Sequence, residues 1–161
     1  MGATVPRPAP ELLIKLTQGG EMRLSSLKGK VVGLEFVLTT CPHCQNSAKK
    51  VNALFNEIGY QGFVPVAVAV NEMSHMFVDE FVSKLGLKYK VGYQSHAAAV
   101  EFLQHQPDLQ MWFPQYVLID RKGVIRYQID GKDKHFENEE KSLREKVLLL
   151  LKEGGTVPAK K

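Results

Sequence analysis

The sequence predicts one α/β domain, a central mixed β-sheet flanked by helices on both faces and extended by an N-terminal β-hairpin, and three observations predict it. Residues 31–38 and 63–70 are two nearly continuous apolar runs, the pattern of strands buried on both faces in the middle of a sheet. Segments with apolar residues three and four apart, the spacing of a helix face, alternate with those runs. Late in the chain, 115–120 and 124–129 flank Arg121-Lys122-Gly123, a hairpin loop whose glycine suits the positive φ such a turn needs.

The elements follow in order. Pro6, Pro8 and Pro10 make the first ten residues an extended lead-in, because each proline removes a backbone donor and restricts its predecessor. Residues 12–16 and 21–24 form a hairpin that turns at Gly19-Gly20. After the first buried strand, Ala48, Val51, Leu54, Phe55 and Ile58 mark the inner face of a helix ended by Gly59. After the second, Ser74 is expected to cap a helix with Phe77, Val78, Phe81, Val82 and Leu85 inward, stopped at Gly86. Residues 88–93 read as a short strand, Ser95 as the cap of a helix over 97–103, and Pro107-Asp108 as a break. A helix over 139–151 closes the chain. The expectation is a single domain over 1–161 with an ordered core over about 9–152 and loose termini at 1–8 and 154–161.

The composition bounds function. The 161 residues are 44% hydrophobic and 24% charged, with a net charge of +4 and two cysteines. A chain of this length buries roughly two thirds of its unfolded surface, enough for one core. A disulfide-built mini-protein and a disordered chain are both excluded. The longest apolar runs fall far short of the roughly 20 residues of a membrane span. Met1 to Pro6 lacks both a basic and an apolar region, so the given sequence carries no signal peptide, although a leader or anchor removed from the start would leave the same sequence. Lysines and arginines are scattered, with no basic stripe interleaved with aromatics, so no nucleic-acid partner is expected; Lys49-Lys50 and Lys160-Lys161 read as solvated surface.

Both cysteines lie in Cys41-Pro42-His43-Cys44, after a buried strand and at the first turn of a helix. A helix start offers unpaired N–H groups and the positive end of its dipole, which favour a thiolate over a thiol. The two-residue gap lets both sulfurs reach disulfide geometry, so that Cys44 can resolve a mixed disulfide formed at Cys41, the exposed tip. His43 adds a donor or a positive charge beside them. A zinc site would need two further ligands, and no second C-x-x-C or H-x3-5-H exists, so no metal is expected. A static disulfide across so short a loop would be a poor staple.

With Ala9-Pro10-Glu11-Leu12, the hairpin, the 24–32 stretch Leu-Ser-Ser-Leu-Lys-Gly-Lys-Val-Val and the 117–125 stretch Val-Leu-Ile-Asp-Arg-Lys-Gly-Val-Ile, the chain resembles the thioredoxin superfamily, in particular the TlpA/ResA-like, redoxin-type thiol-disulfide oxidoreductases. The resemblance implies a thioredoxin-like fold and an enzyme exchanging electrons with protein thiols or disulfides and an upstream donor or acceptor. It implies no cofactor beyond a redox-active Cys41–Cys44 disulfide, and we expect a monomer. The compartment is extracytoplasmic (periplasmic) in a bacterium if a leader was removed, and cytoplasmic otherwise.

Pro114 matches the superfamily's cis-proline opposite the cysteines, where the preceding residue offers its backbone to a strand of substrate. Trp112 and Phe113 would then rim the substrate site. Glu35, six residues before Cys41, stands where thioredoxins carry a buried acid behind the second cysteine; desolvation in an apolar strand would raise its pKa and suit it to proton transfer with Cys44.

The departures are Thr40, where many relatives have tryptophan, and Ser47, where many TlpA/ResA-like members carry glutamate. The Pro42-His43 dipeptide resembles that of the oxidant DsbA, whereas the scaffold resembles reductants, so the direction of electron flow stays open. A thiol peroxidase is the alternative enzyme, but Leu34 and Leu38 occupy the Pro and Thr/Ser positions of the peroxiredoxin motif. A copper-handling module using the thiols with Met73, His75 and Met76 is the alternative binding role.

Overall fold

The structure, a computed structural model, describes residues 3–154. In the described residues the strands form one sheet: β1 (Arg7–Pro8), β2 (Leu13–Lys15), β3 (Glu21–Arg23), β4 (Val31–Val37), β5 (Phe63–Ala69), β6 (Lys90–Tyr93), β7 (Gln115–Ile119) and β8 (Val124–Ile129). Their order across the sheet is β1-β8-β7-β4-β5-β6-β2-β3. β4 pairs in parallel with β5 and antiparallel with β7, so the strand that leads to the cysteines lies in the interior of the sheet. Among the described residues four α-helices flank it: α1 (Pro42–Ile58), α2 (Val78–Leu85), α3 (His96–Leu103) and α4 (Glu139–Lys152).

The period-2 alternation of the central strands divides the core into two layers. Val31 and Val37 of β4, Phe63 and Ala67 of β5, and Tyr116 of β7 point to the side covered by α1, α2 and α4. Val32, Leu34 and Phe36, with Val66 and Val117, point to the side covered by α3 and the N-terminal hairpin, where Ile14 and Phe102 close the packing. The alternation puts Glu35 on the first side, beneath α1.

Two expectations change. The terminal residues 1–8 were expected to be loose, but Arg7 and Pro8 pair antiparallel with Ile125 and Val124. Nη2 of Arg7 also donates to the carbonyl of Phe102 (3.0 Å) and to Oε1 of Gln128 (2.7 Å), so a proline-rich segment gains order from contacts distant in sequence. Ser74 does not cap α2. Its buried hydroxyl donates to the carbonyl of Ala69 at 3.2 Å, Ser74–Met76 is a 3-10 turn, and α2 begins only at Val78. Ser95 does cap α3, accepting from the Ala98 N–H at 3.1 Å. Of the expected loose C-terminus, 155–161 lies outside the described residues.

Gly33 shows how closely the first layer is filled. A Cβ there would meet Tyr116 Oη at 2.5 Å and Phe63 Cε1 at 3.1 Å, both on rings locked in the core. Gly33→Ala is therefore expected to destabilise the domain by about 1–3 kcal/mol, as overpacking does. Urea unfolding should show a lower midpoint at unchanged slope; an unchanged midpoint would mean that the rings yield freely.

Candidate active site

The site forms where β4 runs out. After Val37 the chain turns through Leu38–Thr40, and the turn is locked from β5's side by Asn71: its Oδ1 accepts from the Thr39 N–H (3.0 Å) and its Nδ2 donates to Thr39 Oγ1 (2.9 Å). Nε2 of Gln45 donates to the Thr39 carbonyl at 2.9 Å from the first turn of α1. Cys41 is then the N-cap of α1, with Pro42 in the first turn, where a missing N–H is no loss. Its sulfur accepts from the Cys44 N–H at 3.3 Å, taking the place of a capping oxygen. Both cysteines are free thiols. They differ in environment: Cys41 is half-buried, whereas Cys44 is fully buried and burial drives its thiol well above the ordinary range.

The rest of the predicted site converges by topology. Because Gln115 pairs with Phe36, the residue preceding β7 must lie beside the end of β4, and this brings Pro114 to the same rim as Cys41. The Phe113–Pro114 bond is cis, and Pro114 is buried. Nε2 of His43 lies 3.0 Å from the Gly131 carbonyl, and since a carbonyl only accepts, that nitrogen carries the proton. Gly131 also abuts the other wall, for a Cβ on it would lie 2.8 Å from the backbone of Phe113 and Trp112. The His43 ring packs edge-on against Phe136 at 4.7 Å. Trp112 is 40% exposed, with Lys132 Nζ 3.6 Å from its ring centroid, while Phe113 packs against both core layers. Thr40 is exposed. Met73 and Met76 stand exposed around the 3-10 turn, and the His75 ring lies 5.8 Å from that of Tyr93. Among the described residues no group of three or more His, Cys, Asp or Glu could hold a metal ion.

Glu35 is 2% exposed and near enough to Cys44 for its charge to act on that thiol. Burial pushes its carboxyl up to about 8; the Ser47 hydroxyl pulls the other way and the nearby Glu139 adds to the rise. Desolvation wins because one hydrogen bond cannot replace the water that a carboxylate loses. Ser47 Oγ is 2.5 Å from Glu35 Oε2 and 2.6 Å from Glu139 Oε2. Glu139 is itself 3% exposed and raised, first by burial, with Lys50 opposing at 4.0 Å.

Sequence reading missed Glu139, because an acid in the first turn of a helix looks like an ordinary partner for the helix dipole. It noted Ser47 only as a departure. That departure was the available signal: the carboxylate absent from α1 arrives from α4.

Residues 4–147 match the Redoxin family model. The chain belongs to the Redoxin family. A thiol-disulfide oxidoreductase ResA of Bacillus anthracis is 28% identical to this redoxin over 125 residues, covering 78% of this chain and 69% of its own. One from Geobacillus kaustophilus is 28% identical over 123 residues, 76% and 67% of the two chains. A thiol:disulfide interchange protein of the thioredoxin family from Chlorobium tepidum superposes with a TM-score of 0.73 at 23% identity, covering 92% of this redoxin and 99% of that chain. The fold is thus thioredoxin-like, and with its C-x-x-C pair in place this redoxin is a thiol-disulfide oxidoreductase.

The buried acid makes folding stability depend on pH. The folded state holds the Glu35 proton up to about 8, whereas the unfolded chain releases it near the ordinary 4.5. Stability contributed by this group is therefore lost as pH rises between those values, and the raised Glu139 acts in the same sense. Glu35→Gln should gain on the wild type through that window and hold a constant advantage above it, on the order of a few kcal/mol. Urea unfolding at a series of pH values measures this, and a pH-independent difference would contradict it.

Proposed function

We propose that Cys41 is the attacking and Cys44 the resolving thiol in exchange with protein disulfides, and that Glu35 is the proton acceptor and donor for Cys44. The observation that carries this reading is the unequal pair: a half-buried sulfur at the helix tip, and within one turn of it a buried thiol whose N–H donates to that sulfur. In the reducing direction the Cys41 thiolate attacks a substrate disulfide, forming a mixed disulfide and expelling one substrate thiolate. Cys44 then gives its proton to the Glu35 carboxylate and attacks the Cys41 sulfur. The Cys41–Cys44 disulfide forms, the second substrate thiolate leaves, and two electrons have passed from the protein to the substrate. The oxidising direction is the reverse.

A thiol held as far from ionisation as Cys44 needs a base that is itself buried and close to neutral, and Glu35 is raised toward that range. The substrate strand runs along the backbone at Phe113–Pro114, with Trp112 and Thr40 at the rim and His43 anchoring the opposite wall. The pair is the only redox group the reaction requires. An upstream thiol or disulfide protein restores it, and the enzyme works as a monomer. The reaction takes place outside the cytoplasm, a setting supported by both cysteines being committed to the motif; no helix among the described residues is long and apolar enough to cross a membrane.

Incubated with a disulfide-bonded protein such as insulin, Cys44→Ser should accumulate a mixed disulfide visible by mass spectrometry, and Cys41→Ser should form none. Trapping by the Cys41→Ser variant instead would reverse the two roles. Glu35→Gln should slow resolution about 10²-fold, at the lower end for general acid–base catalysis.

A further inference from the structure

The contacts around Ser47 do not close with the proton count of ordinary ionisation. Its Oγ is 2.5 Å from Glu35 Oε2 and 2.6 Å from Glu139 Oε2, each a hydrogen-bond distance. A hydroxyl has one proton to donate. If both carboxyls were ionised, only one contact would be a hydrogen bond, and the other would set two oxygens bearing lone pairs against each other. Both contacts are satisfied only if the two carboxyls share one further proton. With the proton on Glu35, that carboxyl donates to Ser47 and Ser47 donates to Glu139. With it on Glu139, both bonds point the other way. The two arrangements hold the same number of protons and hydrogen bonds, and they differ by one concerted hop along the chain.

The ends of this chain open to different places. The Glu35 end lies among buried groups: Cys44 from α1, Tyr116 from β7, and Tyr89 between α2 and β6, each of which senses the Glu35 charge. Tyr89 donates its hydroxyl to the Ala48 carbonyl at 3.3 Å and is thereby engaged elsewhere. The Glu139 end lies against Lys50 at 4.0 Å, whose side chain is 38% exposed, with His43 and Glu140 as its other charged or titratable neighbours. The Lys50 side chain reaches the surface groove between α1 and α4.

We propose that Glu35, Ser47 and Glu139 form a proton wire from Cys44 to the surface beside Lys50, with Glu139 as its outlet. The proposal rests on the assignment of Glu35 as the proton acceptor for Cys44 and extends it. During resolution the Cys44 proton passes to a Glu35 Oε. Glu35 Oε2 releases a proton to Ser47 Oγ as Ser47 passes its own to Glu139 Oε2, and Glu139 gives one to water at the groove. One proton enters and one leaves, Ser47 is unchanged, and the two carboxyls again share a single proton. The opposite direction loads Cys44 with a proton from outside. Glu139 and Ser47 touch neither substrate nor sulfur in this scheme; they act through Glu35.

The test separates thiolate release from proton release. The mixed disulfide of Cys41 with a chromophoric aromatic thiol is prepared beforehand on the full chain. Resolution is then followed by stopped flow in weak buffer containing a pH indicator, at a pH below the value of about 8 to which Glu35 is raised, where the two carboxyls still share their proton. In the wild type the proton should appear in bulk at the rate at which the aromatic thiolate leaves. In Glu139→Gln, which keeps the size and the hydrogen bonding of the outlet, and in Ser47→Ala, the proton should lag behind the thiolate by tenfold or more. Proton release in step with the thiolate in both variants overturns the wire. Glu35→Gln is the control on the underlying assignment: slow thiolate release upholds it whatever the outlet variants do, and wild-type release overturns it. A variant that failed to fold would release no thiolate, so the lag is scored only against its own thiolate signal, and either outlet variant alone suffices.

Discussion

A carboxyl group in an interior strand of a sheet covered on both faces has no water to solvate it, and much of the interior beneath α1 is arranged around that fact. Glu35 cannot point to the surface, since the alternation that buries Val31 and Val37 buries it with them. Its oxygen must find a donor, and the donor must come from the helix above; hence a small hydroxyl residue, Ser47, at a position where the interior otherwise wants an apolar side chain. Ser47 in turn lies within hydrogen-bond distance of a second carboxyl, which α4 contributes. A single buried acid therefore dictates side chains on two helices.

That arrangement and the placement of the cysteines serve one another. Cys44 is buried because it lies on the inner face of α1 with Ala48 and Val51, and burial is what makes its proton hard to remove. A buried base, the role proposed for Glu35, is the physical remedy, because a surface carboxylate would be too acidic and too distant. Cys41 instead stands half-buried at the helix tip. Two cysteines separated by two residues thus occupy opposite regimes, and the rigid first turn of α1 keeps them in contact while they differ.

The elements that the sequence reveals are those whose cause is local. The two apolar runs, the face of α1, the cap at Ser95 and the turn at Gly123 each depend on residues within a dozen positions, and each appears where periodicity and turn chemistry put it. The motif and the strand before it were legible for the same reason. What could not be read depends on partners far along the chain: Arg7–Pro8 joining β8, Ser74 turning inward to Ala69 instead of capping, and Glu139 reaching Ser47 across 92 positions. Sequence spacing carries no record of which surface acid will be folded inward. Only the missing glutamate at Ser47 hinted that a charge must arrive from elsewhere.

The ends of the sheet have their own meaning. β1 is two residues long and carries a proline, and β3 at the opposite margin is three residues long, so the outermost strands offer few free N–H and C=O groups in a row. An extended segment from another molecule finds little to zip onto at either border. For a thiol-disulfide oxidoreductase, which meets protein thiols and disulfides, such short borders keep contact at the cysteines apart from indiscriminate growth of the sheet.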